Sequence, residues 1–198
     1  MADESTLASA YEAISADAAA LKVDLPAEEV AVVAERCGFG DAELAAVGEV
    51  FAYLAKRHHE STIATLLRLG GLPQKAPKTL GNFDFARMQG RDAAALRGLP
   101  ALANLHARKD IAFVGPGGIG KTHLAKAYGR ECCMRGYKTY FLKASELKDR
   151  LERAVEGGTT AKVVSSMVKP SCLIVDEIGR CTFDRACTNL FFDIVDRR

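Results

Sequence analysis

Residues Gly115-Pro116-Gly117-Gly118-Ile119-Gly120-Lys121-Thr122 form a glycine-rich run ending in a lysine and a hydroxyl residue. This is the full G-x-x-x-x-G-K-[ST] pattern, and its residue types suit one task. A triphosphate is bulky and highly charged, so the main chain must curl around it with its N–H groups inward. Glycines supply the positive φ angles that such a curl needs. Lys121 then reaches the β- and γ-phosphates, and the Thr122 hydroxyl faces Mg²⁺. A helix opening at Lys121 adds its partial positive N-terminus. ATP and Mg²⁺ are the implied cofactors, held by Gly115 to Thr122 together with His123, which is read as a helix-start residue and not a catalytic one.

A second run, Cys172 to Glu177, is an apolar strand that ends in two carboxylates. Ligands of parallel sheets sit beyond the carboxyl ends of the strands, which puts Asp176 on the same edge as the phosphate loop. There Asp176 serves Mg²⁺ with Thr122, through a water, and Glu177 orients or deprotonates an attacking water. Catalytic roles therefore fall to Glu177 and Lys121. Water attack implies a nucleoside triphosphatase. A small-molecule kinase would need an acceptor pocket, and no residues for one are evident.

These groups need a scaffold that alternates strand and helix. Ile111–Val114 reads as a strand leading into the loop, after a helix carrying Leu99, Leu102 and Leu105. A helix from Lys121 to about Met134 follows, then a strand at Thr139–Leu142. Behind it comes a helix capped by Ser145 with Leu147, Leu151 and Val155 inward. Val163, Val164, Met167 and Val168 mark another helix, broken by Pro170, before the strand Cys172–Val175. A last helix buries Ala186, Leu190, Phe191, Ile194 and Val195. Apolar strands without internal alternation, bounded by helices, imply a parallel sheet covered on both faces.

Upstream the pattern is helical. Leu7, Tyr11, Ile14, Ala18 and Leu21 share one face, and Val30, Val33, Ala34 and Cys37 form a second stripe closed by Gly38 and Gly40. Asp41 caps a third helix with Val47, Phe51 and Leu54 inward, and Ile63, Leu66 and Leu67 precede a stop at Gly70-Gly71-Leu72-Pro73. The stretch Pro73–Lys78 has two prolines and two lysines and reads as a linker. The expected division is a helical module at 1–72, a linker and nucleotide-proximal segment at 73–90, and an ATP-binding core at 91–198.

Composition sets the bounds. The chain has 198 residues, 48% of them hydrophobic, enough for one domain or a small module joined to part of a larger one. A net charge of +2 is too weak to argue for nucleic acid by itself. Its distribution is uneven: residues 1–60 are acidic, from Asp3 and Glu4 to Glu60, whereas Lys75, Lys78, Arg87, Arg91, Arg97 and Arg108 make the next stretch basic. Such asymmetry fits a partner surface or simply a solvated face. The six cysteines form no C-x-x-C pair, and His58 and His59 have no partner at ligand spacing, which argues against zinc. Cys172 reads as a small core residue. No secretory signal and no bilayer-length apolar run is present, so a cytoplasmic location with no membrane partner is the default.

Four segments together carry a resemblance: Lys78–Phe85 (KTLGNFDF), Gly115–Ala125 (GPGGIGKTHLA), Arg135–Phe141 (RGYKTYF) and Leu173–Gly179 (LIVDEIG). The combination resembles the IstB-like transposition helper ATPases and, more distantly, the DnaC-type helicase loaders, over roughly residues 60–198. The resemblance implies an AAA+ fold, ATP-dependent self-assembly into a homo-oligomer, and DNA binding. It implies a transposase as partner in the first case and a replicative helicase in the second. It also implies that Thr79–Phe85 lies near the nucleotide base, although plain core packing would explain Phe83 and Phe85 as well. Residues 1–59 match the family pattern poorly and suit either a partner-binding module or a variable helical cap.

AAA+ domains normally continue with a sensor strand, an arginine finger and a helical lid. The sensor strand usually lies between the phosphate-loop strand and the Asp-Glu strand. The sequence is therefore expected to be an incomplete AAA+ core, truncated at the C-terminus, with Arg197 and Arg198 as a solvated helix end. Transposition ATPase, helicase loader and non-hydrolysing ATP-binding fragment are the three readings this leaves.

Overall fold

The computed structural model describes residues 4–87 and 93–198. Asp3 and Arg91, counted among the uneven charges, lie outside them, as does the expected boundary at residues 90 and 91. The chain divides into two compact units, Met1–Thr62 and Ile63–Arg198.

The first unit contains α1 (Glu4–Ala20), α2 (Ala27–Cys37) and most of α3 (Asp41–Leu69). Ile14, Val30, Ala34 and Leu44 are its buried core, with Leu7, Tyr11, Val47 and Phe51 packed against them. α2 ends where Gly38 turns left-handed at φ 66° and returns its N–H to Ala34 and Glu35. The expected stripes are only partly inward: Val33 and Cys37 on α2 and Leu54 on α3 are exposed. Two helices at four-residue spacing need a narrow seam, so the flanks of each stripe stay in solvent. Asp41 is the first helical residue of α3 and not its cap, and α3 runs unbroken through Ile63, Leu66 and Leu67.

The second unit starts with the last two turns of α3, Ile63–Leu69. Gly70–Leu72 then lies along a strand edge, with the Gly70 carbonyl accepting from Phe141 N at 2.9 Å. α4 (Ala93–Arg97) and α5 (Ala103–His106) are short and flank a 3-10 turn at Leu99–Ala101. The single helix expected through Leu99, Leu102 and Leu105 is therefore broken, at Leu102, whose φ of 53° is left-handed. α6 (Lys121–Met134), β1 (Thr139–Lys143), α7 (Ala144–Glu156), α8 (Thr160–Val168), β2 (Cys172–Asp176) and α9 (Arg185–Asp196) follow in the expected order.

β1 and β2 pair in parallel, with Thr139 opposite Cys172 and Lys143 opposite Asp176. Both faces are covered. Leu142, Tyr140, Leu173 and Val175 meet α7, α8 and α9 through Leu147, Leu151, Val164, Met167, Cys187 and Ile194. Cys172 and Ile174 meet α6 through Leu124, Tyr128 and Cys132. Each fully buried aliphatic side chain here contributes roughly 1.5–3 kcal/mol relative to exposure. α6 sits very close to the sheet at Gly129, where an added Cβ would lie 2.6 Å from Ile174 Cδ1. Thr139, buried beneath it, donates its hydroxyl to the Gly129 carbonyl at 3.2 Å.

Four expectations are corrected. Ile111–Val114 is not a strand: Ile111 and Phe113 pack into the α6 side of the core, but the segment joins no ladder among the described residues and Val114 is 91% exposed. Apolar runs report side-chain burial, whereas a strand also needs a paired backbone. Ser145 lies inside α7, which is capped at Lys143, and the inward residue near its end is Ala154, with Val155 exposed. α9 buries Cys187 and Ile194, while Ala186 and Val195 are exposed. Arg198 is not a solvated end: it is partly buried and donates to the carbonyls of Met167 and Val168, at the C-terminus of α8, and of Pro170 beyond it. Arg197 is exposed and pairs with Asp193.

Among the described residues, no helix is long and apolar enough to cross a membrane.

Candidate nucleotide site

The loop between Val114 and α6 takes the backbone that a curled anion cradle requires. Gly115, Gly118 and Gly120 all have positive φ, at 155°, 78° and 98°. Gly120 is doubly constrained. Its φ is left-handed, and a Cβ there would come within 2.7 Å of Phe83 Cε2. α6 begins at the next residue, so its free N–H groups face the loop.

Lys121 Nζ folds across the loop and donates to the Gly115 and Pro116 carbonyls at 2.8 and 2.7 Å. Thr122 donates its hydroxyl to Asp176 Oδ1 at 3.2 Å. That contact joins the start of α6 to the end of β2 across 54 residues of sequence. It arises because α6 packs on β2 and begins at the edge of the sheet where β2 ends. Asp176 Oδ1 also accepts from Glu177 N at 3.0 Å.

Glu177 leaves β2 in a left-handed conformation, φ 58° and ψ 30°. For a non-glycine residue this costs on the order of 1 kcal/mol, and such strain clusters at functional sites. Its carboxylate lies between Lys143 Nζ at 3.2 Å and Arg180 at 3.6 Å. All three side chains are well exposed, so these pairs steer the carboxylate more than they stabilise the fold. Lys143 stands in register with Asp176 at the end of β1. Its position as the last residue of a strand beside the acidic pair was the available signal for it.

His123 turns away from the loop. Its Nε2 lies 3.0 Å from the Thr79 carbonyl and 2.9 Å from Asn82 Oδ1. Phe83 stacks edge-on against both His123 and Phe85. The segment Lys78–Phe85 thus lies against the start of α6. Reciprocal hydrogen bonds between Thr79 and Asn82, at a spacing of three, close a turn in this segment.

The Cys132 thiol behind the site is not suited to nucleophilic chemistry. A hydrogen bond with Cys172, together with burial, pushes the Cys132 thiol well above its ordinary value. Burial pushes the Tyr128 hydroxyl up to about 12.

The sequence model of the IstB-like ATP binding proteins matches residues 25–198. The chain belongs to this family. The match reaches further upstream than the four motif segments do, into the acidic helical part that was expected to fit poorly. The chain is 40% identical over 137 residues to the ATP-binding protein of insertion sequence IS5376 from Geobacillus stearothermophilus, covering 69% of this chain and 54% of that protein. It is 30% identical over 139 residues to the IS232 ATP-binding protein of Bacillus thuringiensis subsp. berliner, covering 70% and 55%. It is 31% identical over 140 residues to the IS21 ATP-binding protein of Pseudomonas aeruginosa, covering 71% and 52%. The aligned part thus spans about half the length of these relatives. ATP binding is the property by which this family is described.

Proposed function

We propose that this IstB-like protein is a helper ATPase of DNA transposition, which binds ATP with Mg²⁺, hydrolyses it to ADP and phosphate, and works on DNA with a transposase. The observation that carries the reading is the Thr122–Asp176 contact at 3.2 Å, set at the mouth of a glycine loop in a chain of this family. The relatives are proteins of insertion sequences, which supports the transposase as partner.

The chain's own groups divide the work. Loop N–H groups and the α6 N-terminus hold the phosphate tail, and Lys121 neutralises its charge. Thr122 and Asp176 present two hard oxygen donors side by side, a donor set that fits Mg²⁺. When bound, the ion would offset charge on the β- and γ-phosphates. Glu177 is proposed to orient the attacking water and take its proton. The helical module at 1–72 is proposed as a partner or DNA contact. The segment 73–90 is proposed as its link to the core at 91–198, and self-assembly is proposed for the ATP-bound protein.

Fluorescence anisotropy with labelled duplex DNA tests the DNA assignment. ATP should promote binding, and the affinity should fall steeply with salt. Four phosphate contacts would give a loss of roughly a hundred-fold between about 50 and about 200 mM salt. Affinity that ignores salt, or no binding with ATP present, would remove DNA from the proposal.

A further inference from the structure

We propose that His123 is a positioning residue that latches the Lys78–Phe85 strap onto the phosphate helix, so that the nucleoside end of a bound nucleotide is held by a wall tied to the phosphate loop. The proposal rests on the reading of Gly115–Thr122 as the nucleotide site.

Three sets of contacts build the latch. His123 is the third residue of α6, and its Nε2 meets two oxygens of the strap, Thr79 O at 3.0 Å and Asn82 Oδ1 at 2.9 Å. Both are acceptors, so the imidazole carries its hydrogen on Nε2 and shares it between them. Asn82 is itself fixed by the strap: its Oδ1 accepts from Thr79 N at 2.9 Å, its Nδ2 donates to Pro77 O at 2.9 Å, and its N–H donates to Thr79 Oγ1 at 3.1 Å. The strap is therefore a preformed turn, and His123 supplies its polar tie to α6. Phe83 supplies the apolar tie, 5.2 Å from the His123 ring and directly over Gly120.

The placement gives the latch its purpose. Successive helical residues point about 100° apart. Thr122 faces Asp176, which marks the end of the site where the terminal phosphate and the metal belong. His123 faces the strap instead. A nucleotide whose last phosphate lies at Asp176 extends its nucleoside away from the carboxylates. Phe83 and Phe85, edge to face at 4.9 Å, are partly buried against the core around Leu102 and Leu124, which makes the strap a fixed apolar wall. His123 and Gly120 belong to the phosphate side, yet both touch the strap.

The test compares two ligands by calorimetry on the full chain: Mg²⁺-ADP, which has a nucleoside, and Mg²⁺-tripolyphosphate, which has none. His123→Ala should weaken ADP about ten-fold, the worth of roughly one hydrogen bond, and leave tripolyphosphate within about two-fold. His123→Gln, which keeps an N–H donor, should recover part of the loss. Asn82→Ala, which opens the latch from the strap side, should repeat the His123→Ala pattern and covers the case in which that variant does not fold. Equal weakening of both ligands would mean that His123 merely supports the loop, and would overturn the proposal. Unchanged ADP affinity in both variants would overturn it too. If the unaltered chain binds neither ligand, the nucleotide site itself is wrong and the latch falls with it.

Discussion

Lys121→Ala should weaken ATP binding by roughly 10²–10⁴-fold. The ammonium is the positive side chain folded over the loop, 2.8 and 2.7 Å from two of its carbonyls. Against phosphate oxygens it would make charge-assisted hydrogen bonds worth about 1.5–3 kcal/mol each. Losing contacts to two phosphates therefore removes roughly 3–6 kcal/mol, or about 10²–10⁴-fold in affinity. The fold should tolerate the change, because the bonds that Nζ makes lie at the exposed loop. Titration calorimetry with Mg²⁺-ATP, alongside thermal unfolding, separates the two effects. Native affinity in a folded variant would mean that the phosphates are held elsewhere.

Glu177→Gln separates binding from turnover. The amide keeps the size of the side chain and loses its capacity to take a proton. A positioned general base contributes typically about 10²–10⁴-fold, and phosphate release in the presence of DNA and transposase should fall by that order. Affinity for ATP should hardly change, since the loop, Thr122 and Asp176 are left intact. The exposed pairs to Lys143 and Arg180 are also lost, at a cost of no more than about 1 kcal/mol each. Turnover at the unaltered rate would strip Glu177 of its role and return the site to a binding function.

The sequence was most informative where chemistry restricts residue type. A glycine curl, a lysine and a hydroxyl at fixed spacing can be read without coordinates, and so can an apolar strand ending in carboxylates. Their meeting at Thr122 and Asp176 follows from parallel-sheet geometry. Other features depend on contacts that one strand of sequence does not encode. Ile111–Val114 has the composition of a strand and buries Ile111 and Phe113, but its backbone pairs with neither β1 nor β2. The contact of Arg198 with three carbonyls of the Met167–Pro170 turn lies 28 to 31 residues away in sequence. His123 looked like an ordinary helix-start residue because its partners, Thr79 and Asn82, are more than 40 residues upstream. Lys143 lies one residue past the strand expected at Thr139–Leu142, and only the register with Asp176 places it beside Glu177.

The most direct measurement is a crystal structure of the chain grown with a non-hydrolysable ATP analogue and Mn²⁺, in which anomalous scattering locates the metal. The triphosphate should lie inside the Gly115–Thr122 curl, with the manganese peak between the Thr122 hydroxyl and the Asp176 carboxylate. An analogue seated away from that loop, or a metal peak with neither residue beside it, would contradict the assignment of this edge of the sheet as the nucleotide site.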